Sequence, residues 1–243
     1  EAGFTFKIAE YLFEGNVLDN TGANNDGTIS GPVTFGVGVE GQSVCFDRTN
    51  STPNFVVLPN DLIRNETNFT ISMRFKTTGK GVMLGYQNRA VDGAANEYIP
   101  ILVVQSNGTL RSTLWTTANR DMTTVSSQVV NDGNWHKVDM SVTSTSINVY
   151  LDGVLAGTTS SGTVAHLSMS FNQIGRGRTD STRDSSDGGM TGWVGFTGCI
   201  DNFVLIDSGL TLAQIDEVTA VPVPTITSFS STTARTGSSV VIT

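Results

Sequence analysis

The feature that most constrains this chain is its rhythm. Short runs of Val, Ile, Thr, Phe and Leu recur about every ten residues, separated by Gly, Asn, Asp and Ser, which is the pattern of an antiparallel sandwich or barrel. The runs are Thr5 to Phe13, Val44 to Asp47, Phe69 to Lys76, Val82 to Tyr86, Ile99 to Gln105, Thr109 to Thr116, Trp135 to Thr143, Ile147 to Leu151, Val154 to Thr159, Met169 to Ile174 and Val194 to Ile206. Most alternate apolar with polar residues. A period of two sends Ile147, Val149 and Leu151 to one face and Asn148, Tyr150 and Asp152 to the other, so one face builds core and the other meets solvent or a ligand. Asn107-Gly108 and Asp152-Gly153 read as hairpin turns of type I′, because both dipeptides accept positive φ. The one helical candidate is Thr211 to Val218, a single closing turn. The fold class expected is therefore all-β.

The 243 residues suffice for one large β domain with a real core. The longest apolar run, Ile99 to Val104 broken by Pro100, falls far below the roughly 20 residues a membrane helix needs. With 14 basic against 22 acidic residues the net charge is −8, and no basic cluster exists to neutralise phosphates. Nucleic acid is excluded as the expected partner. The absence of a leader at Glu1 suggests excision from a longer polypeptide or a leader already removed, which permits export.

Alternating prolines in Ala220-Val221-Pro222-Val223-Pro224 favour an extended linker, which places a domain over residues 1–219, a linker over 220–224 and a second unit from 225 to 243. That second unit reads as two strands, Ile226 to Phe229 and Ser239 to Ile242. Two strands do not fold alone, so either the chain continues or the tail adds a strand to a neighbour.

Several segments, taken in order, resemble the laminin G-like group of concanavalin A-type jelly rolls. They are Tyr11-Leu12-Phe13-Glu14-Gly15-Asn16 with Asp19 and Gly27, then Gly41 to Asp47, then Asp132-Gly133-Asn134-Trp135-His136-Lys137-Val138 with Val149-Tyr150-Leu151-Asp152-Gly153. Asn172-Gln173-Ile174-Gly175 and Phe196-Thr197-Gly198-Cys199-Ile200-Asp201-Asn202-Phe203 close the series, and the likeness spans roughly Lys7 to Asp216. The resemblance implies an antiparallel jelly-roll β-sandwich. The tail, Pro224 to Ser230 with Gly237 to Ile242, resembles the first strands of an immunoglobulin-like TIG domain. The family topology would bring the first and last core strands together, so Cys45 and Cys199 are either a disulfide or two buried thiols.

The candidate sites follow from residue chemistry. Glycosidase members of the superfamily carry paired carboxylates as ExDxxE on one strand, and this chain has no such segment. It has no GxSxG elbow, and its two histidines and two separated cysteines do not make a zinc site. Calcium is the better metal, because hard cations want carboxylate, amide and carbonyl oxygens on irregular loops. In laminin G-like domains an acidic ligand precedes the strand entering the "dG" hairpin, and here Asn96-Glu97 hold that place, with Glu97 in place of the usual Asp. Counting strand reversals groups Asp92, Asn96 and Glu97 with Asn119 and Asp121 at one end, and Asp180, Asp184 and Asp187 with Asn131 and Asp132 at the other. The competing reading of both groups is solvated turn residues.

Sugar recognition combines an aromatic platform with polar side chains that bond hydroxyls. Tyr86, Tyr98, Trp115 and Trp193 are the candidate platforms, and Arg176 and Arg178 with the aspartates of the 176–192 loop are the candidate polar partners. Aromatics at strand ends are also ordinary core lids. The expected function is a non-catalytic binding module of a larger extracellular or surface-displayed protein, recognising a glycan or a cell-surface protein, with calcium as the candidate cofactor. The alternative is a structural subunit of a virion, tail or surface filament that assembles through residues 222–243.

Overall fold

The computed structural model describes residues 6–117, 122–160, 162–180 and 190–220. The linker beyond Ala220 and the TIG-like segment, and Asn119, Asp121, Asp184 and Asp187, lie outside the described residues. In chain order the strands are β1 (Lys7–Tyr11), β2 (Thr28–Ser30), β3 (Thr34–Val37), β4 (Gln42–Phe46), β5 (Phe55–Leu58), β6 (Phe69–Lys76), β7 (Gly81–Gln87), β8 (Tyr98–Val104) and β9 (Thr109–Leu114). They continue as β10 (Met122–Val129), β11 (Trp135–Val142), β12 (Ser146–Leu151), β13 (Val154–Ser160), β14 (Phe171–Ile174), β15 (Arg176–Thr179), β16 (Gly192–Gly195) and β17 (Gly198–Ile206), and one helix, α1 (Leu212–Val218), follows.

Two antiparallel sheets face each other. The eight-stranded sheet runs β13-β12-β11-β6-β17-β4-β3, with β1 also paired to β17; the seven-stranded sheet runs β10-β9-β8-β7-β14-β5-β2. Between them lies one large core in which Ile71, Met73 and Phe75 of β6 meet Val138, Met140 and Val142 of β11. Ile147, Val149 and Leu151 face inward, as their alternation requires. This is an all-β antiparallel sandwich. Among the described residues no helix is long and apolar enough to cross a membrane.

Local chemistry explains the departures from simple alternation. Pro100 sits in the central strand β8, where it has no N–H to give the ladder, and the register shift between Leu84 and Gly85 opposite it absorbs the defect. At Asp152-Gly153 both residues take positive φ, as a type I′ turn demands, whereas at the other hairpin only Gly108 does. The Asn107-Gly108 turn is therefore not type I′; Asn107 Oδ1 instead accepts from the Thr109 N–H at 3.1 Å. Thr211 caps α1 reciprocally with Gln214, and the helix lays Ile215 on Val204 and Ile206 of β17, covering part of the outer face of the eight-stranded sheet.

The sequence reading missed β2, β3, β5, β10 and β15, and it fused β16 with β17. The fusion fails at Gly198, whose φ of 147° turns the chain between the two strands. The Cys45 and Cys199 sulfurs are bonded, between residues directly opposite each other on β4 and β17.

Candidate functional site

The missed strand β15 and the separated β16 form a two-stranded ribbon lying across the outer face of the seven-stranded sheet. Val82 and Val103, outward-facing partners on β7 and β8, are buried beneath Met190 and Val194. That cover is why every residue of β7 is buried, although one face of an ordinary sandwich strand meets water. Gly177 and Gly85 permit the close approach: a Cβ on Gly177 would fall 2.5 Å from Val82 Cγ1, and one on Gly85 would fall 3.0 Å from Gly177 Cα. Gln173 Nε2 donates to the Arg176 carbonyl at 2.8 Å and fixes the start of the ribbon.

Along β15 the alternation buries Gly177 and Thr179 and leaves Arg176 and Arg178 half-buried; Trp193 lies opposite Arg178 and is half-buried too. The loop between β7 and β8 meets this edge. The Arg176 guanidinium pairs with Asp92 at 2.5 Å, and Trp193 Nε1 donates to the Gly93 carbonyl at 3.0 Å. The Arg178 guanidinium carbon stands 5.1 Å from the centre of the Tyr98 ring, and Tyr98 hydroxyl bonds Asp180 Oδ2 at 3.0 Å. Asn88 holds the loop shut by accepting from the Asn96 and Glu97 N–H groups.

Four of the five sequence-named ligand residues, Tyr98, Trp193, Arg176 and Arg178, thus stand together around the ribbon. The fifth does not. Trp115 is 4% exposed and belongs to the main core, because the segment after β13 closes over it: Ala165 N–H donates to the Trp115 carbonyl and Thr116 bridges Val164. Tyr86 is fully buried as well. Asp180 corrects the grouping of the loops. It joins Tyr98 and the 88–97 loop rather than Asn131 and Asp132, since the uncounted ribbon carries it to the opposite end from the one assigned. Nothing in the local sequence marks Asp180 or the Gly93 carbonyl as members of this group; only the ribbon's path does.

Of the residues named for calcium, the three that are described each have a protein partner. Asp92 faces Arg176, Asn96 Oδ1 accepts from Asn88, and Glu97 Oε2 accepts from the Ser168 backbone and hydroxyl. Among the described residues no three His, Cys, Asp or Glu side chains gather as a cation site.

Two carboxylates do converge elsewhere, on an imidazole. His136 Nδ1 lies 2.7 Å from Asp152 Oδ2 and His136 Nε2 lies 3.1 Å from Asp132 Oδ1, with the ring packed on Phe75. Burial disfavours the charged ring, but the hydrogen bonds to Asp152 and Asp132 outweigh it and raise the His136 pKa above 6.5. Asp132 is lowered to about 2, mainly by the Asn134 backbone N–H and side chain and then by His136. A proton held more tightly in the folded state stabilises the fold below pH 6.5, and that contribution disappears as the pH rises through the raised folded value. Stability by chemical denaturation is expected to fall as the pH rises above about 6.5, and His136→Gln to flatten that fall. Superimposable pH profiles for the two proteins overturn the clamp.

A family model described as the concanavalin A-like lectin/glucanases superfamily matches residues 50–216. No curated protein matches the chain. Among solved structures, domain 4 of AbnA, a GH43 extracellular arabinanase from Geobacillus stearothermophilus in complex with arabinotriose, aligns with a TM-score of 0.60 at 16% identity, covering 88% of this chain and 98% of that one. A botulinum neurotoxin type C structure, described through the dependence of cell entry on two ganglioside molecules, aligns at 0.62 and 14%, covering 88% and 50%. The binding domain of botulinum neurotoxin DC in complex with rat synaptotagmin II aligns at 0.62 and 13%, covering 88% and 51%. This chain spans about half the length of the two toxin chains. At such identities the likeness is one of fold.

Proposed function

Because the chain belongs to the concanavalin A-like lectin/glucanases superfamily, we propose that it serves as a non-catalytic glycan-recognition module of an extracellular or surface-displayed protein. One observation carries the reading: two half-buried aromatics, two arginines and two aspartates from separate segments converge where the ribbon meets the 88–97 loop. Aromatic rings offer area to the CH faces of a sugar at low entropic cost, and arginine–aspartate pairs present donors and acceptors to hydroxyls. Tyr98 and Trp193 are already tied through their polar atoms, so little ordering remains to be done on binding. Relatives of the same fold bound to arabinotriose and dependent on gangliosides support a glycan, and the synaptotagmin complex supports a protein as the second class of partner. The disulfide favours an oxidising compartment.

The test is a glycan array with the whole chain, followed by titration of the best oligosaccharide with calcium and with chelator. Binding is expected in both conditions, since Asp92, Asn96 and Glu97 are engaged with protein partners. Trp193→Ala is expected to weaken it about tenfold, the effect of roughly 1–2 kcal/mol at a contact residue. An array without hits, or binding indifferent to Trp193→Ala and Arg178→Gln, overturns the assignment.

A further inference from the structure

The outer face of the eight-stranded sheet carries a cleft of about 210 Å³, far from the ribbon, between β6, β11, β17 and β1. Its floor has an unusual charge arrangement. Arg74 of β6 stands directly opposite Lys137 of β11 on one side and the buried Asp201 of β17 on the other, so a like charge and an opposite one flank it. Lys137 is partly compensated, with Nζ 3.2 Å from the fully buried Asp139 and 3.0 Å from Asp216 of α1. Lys7 is likewise paired, with Glu10 at 2.5 Å. Arg74 makes no ion pair or side-chain hydrogen bond among the described residues, although five N–H donors crowd its guanidinium.

A second and independent feature lies at the same place. Between Asp201 and Val204 the ladder of β17 against β6 slips, and Asn202 there takes a φ of 50°. Bulges of this kind re-aim a side chain, and left-handed backbone at a non-glycine residue costs about 1–3 kcal/mol unless the surroundings enforce it. Asn202 lines the cleft, and its Nδ2 is buried without a partner. An amide donor left unmatched in this way costs about 1–3 kcal/mol until an acceptor arrives.

We propose that this cleft binds a single acidic sugar residue of the uronic acid class, its carboxylate held by Arg74 beside Lys137, with the Asn202 amide rotating to bring its unpartnered Nδ2 onto a ring or hydroxyl oxygen. The Arg fork matches a planar carboxylate in a two-point contact, which a lone ammonium does not provide. Glu10 and Glu40 also line the cleft. They supply acceptors for hydroxyl groups and oppose a doubly charged phosphate, so the site suits one carboxylate on a polyhydroxylated ring. The volume lies below the ~300–1,000 Å³ typical of drug-sized ligands, which limits the occupant to one residue.

The test uses the full chain with D-glucuronate, D-glucose and inorganic phosphate, read by ligand-observed NMR titration. Glucuronate is expected to bind in the millimolar range and glucose at least tenfold more weakly. Arg74→Gln is expected to weaken glucuronate ten- to a hundredfold, as loss of a charged hydrogen bond does, and Arg74→Lys to fall between. Asn202→Gly keeps the left-handed backbone and should cost several-fold. Trp193→Ala should leave glucuronate binding unchanged, which separates this cleft from the glycan site of the ribbon. Equal affinity for glucose, tighter binding of phosphate, no glucuronate binding up to tens of millimolar, or an Arg74→Gln protein that binds as wild type each overturns the proposal.

Discussion

Replacing both cysteines, Cys45→Ala with Cys199→Ala, is expected to lower the unfolding free energy by about 3–5 kcal/mol. The bond closes a loop with a sequence separation of 154 residues, and it does so between β4 and the strand on which the sheet is centred. β17 is paired with β6 along one side and with β4 and β1 in succession along the other. Without the bond, the unfolded chain must bring residues from its first fifth to its last strand at full loop-closure cost. Equilibrium urea unfolding measures the difference directly. Wild type in strong reductant should approach the double variant in midpoint with little change in slope. A double variant within about 1 kcal/mol of wild type means that the strand pairing, not the bond, holds the two ends together.

How much of this was legible in the sequence depends on where each signal resides. Alternation identified the inner rows of β6, β11 and β12, because in those strands each apolar side chain faces the opposite sheet. The capped helix was legible because Thr211 and Gln214 are a local signal. β15 was not, since Arg176-Gly177-Arg178-Thr179 contains no apolar residue from which a period can be read. Its burial comes from Val82 and Val103, far earlier in the chain, and its path exists only once both sheets are built. β10 is hidden for a related reason: it is an edge strand rich in Thr and Ser, with Val125 and Val129 turned outward.

The same distinction runs through the candidate site. Tyr98, Trp193, Arg176 and Arg178 could be named one by one because aromatic and arginine side chains are conspicuous at loop edges. That they share one place, and that Trp115 does not join them, follows from tertiary packing: the ribbon in the first case, the 163–165 segment over Trp115 in the second. Glu97 was placed by a family pattern, and its loop position holds. Its carboxylate is nonetheless turned toward Ser168, a partner 71 residues away that no local motif announces.

If the ribbon builds the glycan site, lifting it should abolish binding without unfolding the sandwich. Gly177→Val tests this from above and Gly85→Val from below. A Cβ at Gly177 meets Val82 Cγ1 at 2.5 Å, and Val82 is a buried β-branched residue with little rotamer freedom to retreat. A Cβ at Gly85 meets Gly177 Cα at 3.0 Å and the Arg176 carbonyl at 3.2 Å, so there the obstacle is backbone. Either insertion should cost about 1–3 kcal/mol of stability and move β15 outward by a fraction of a side chain. Three of the four clustered ligand residues ride on β15 and β16, while Tyr98 and Asp92 stay with β8 and its loop. Displacement therefore breaks the Arg178–Tyr98 and Arg176–Asp92 contacts together, and mispositioning of a whole contact set costs more than truncation of one member. Oligosaccharide affinity is expected to fall at least a hundredfold in both variants, against about tenfold for Trp193→Ala, with the cooperative unfolding transition retained. Glucuronate binding at Arg74 on the opposite sheet should survive both changes. Variants that keep oligosaccharide affinity would place the sugar elsewhere on the sandwich and leave the ribbon as a cover for Val82 and Val103 alone.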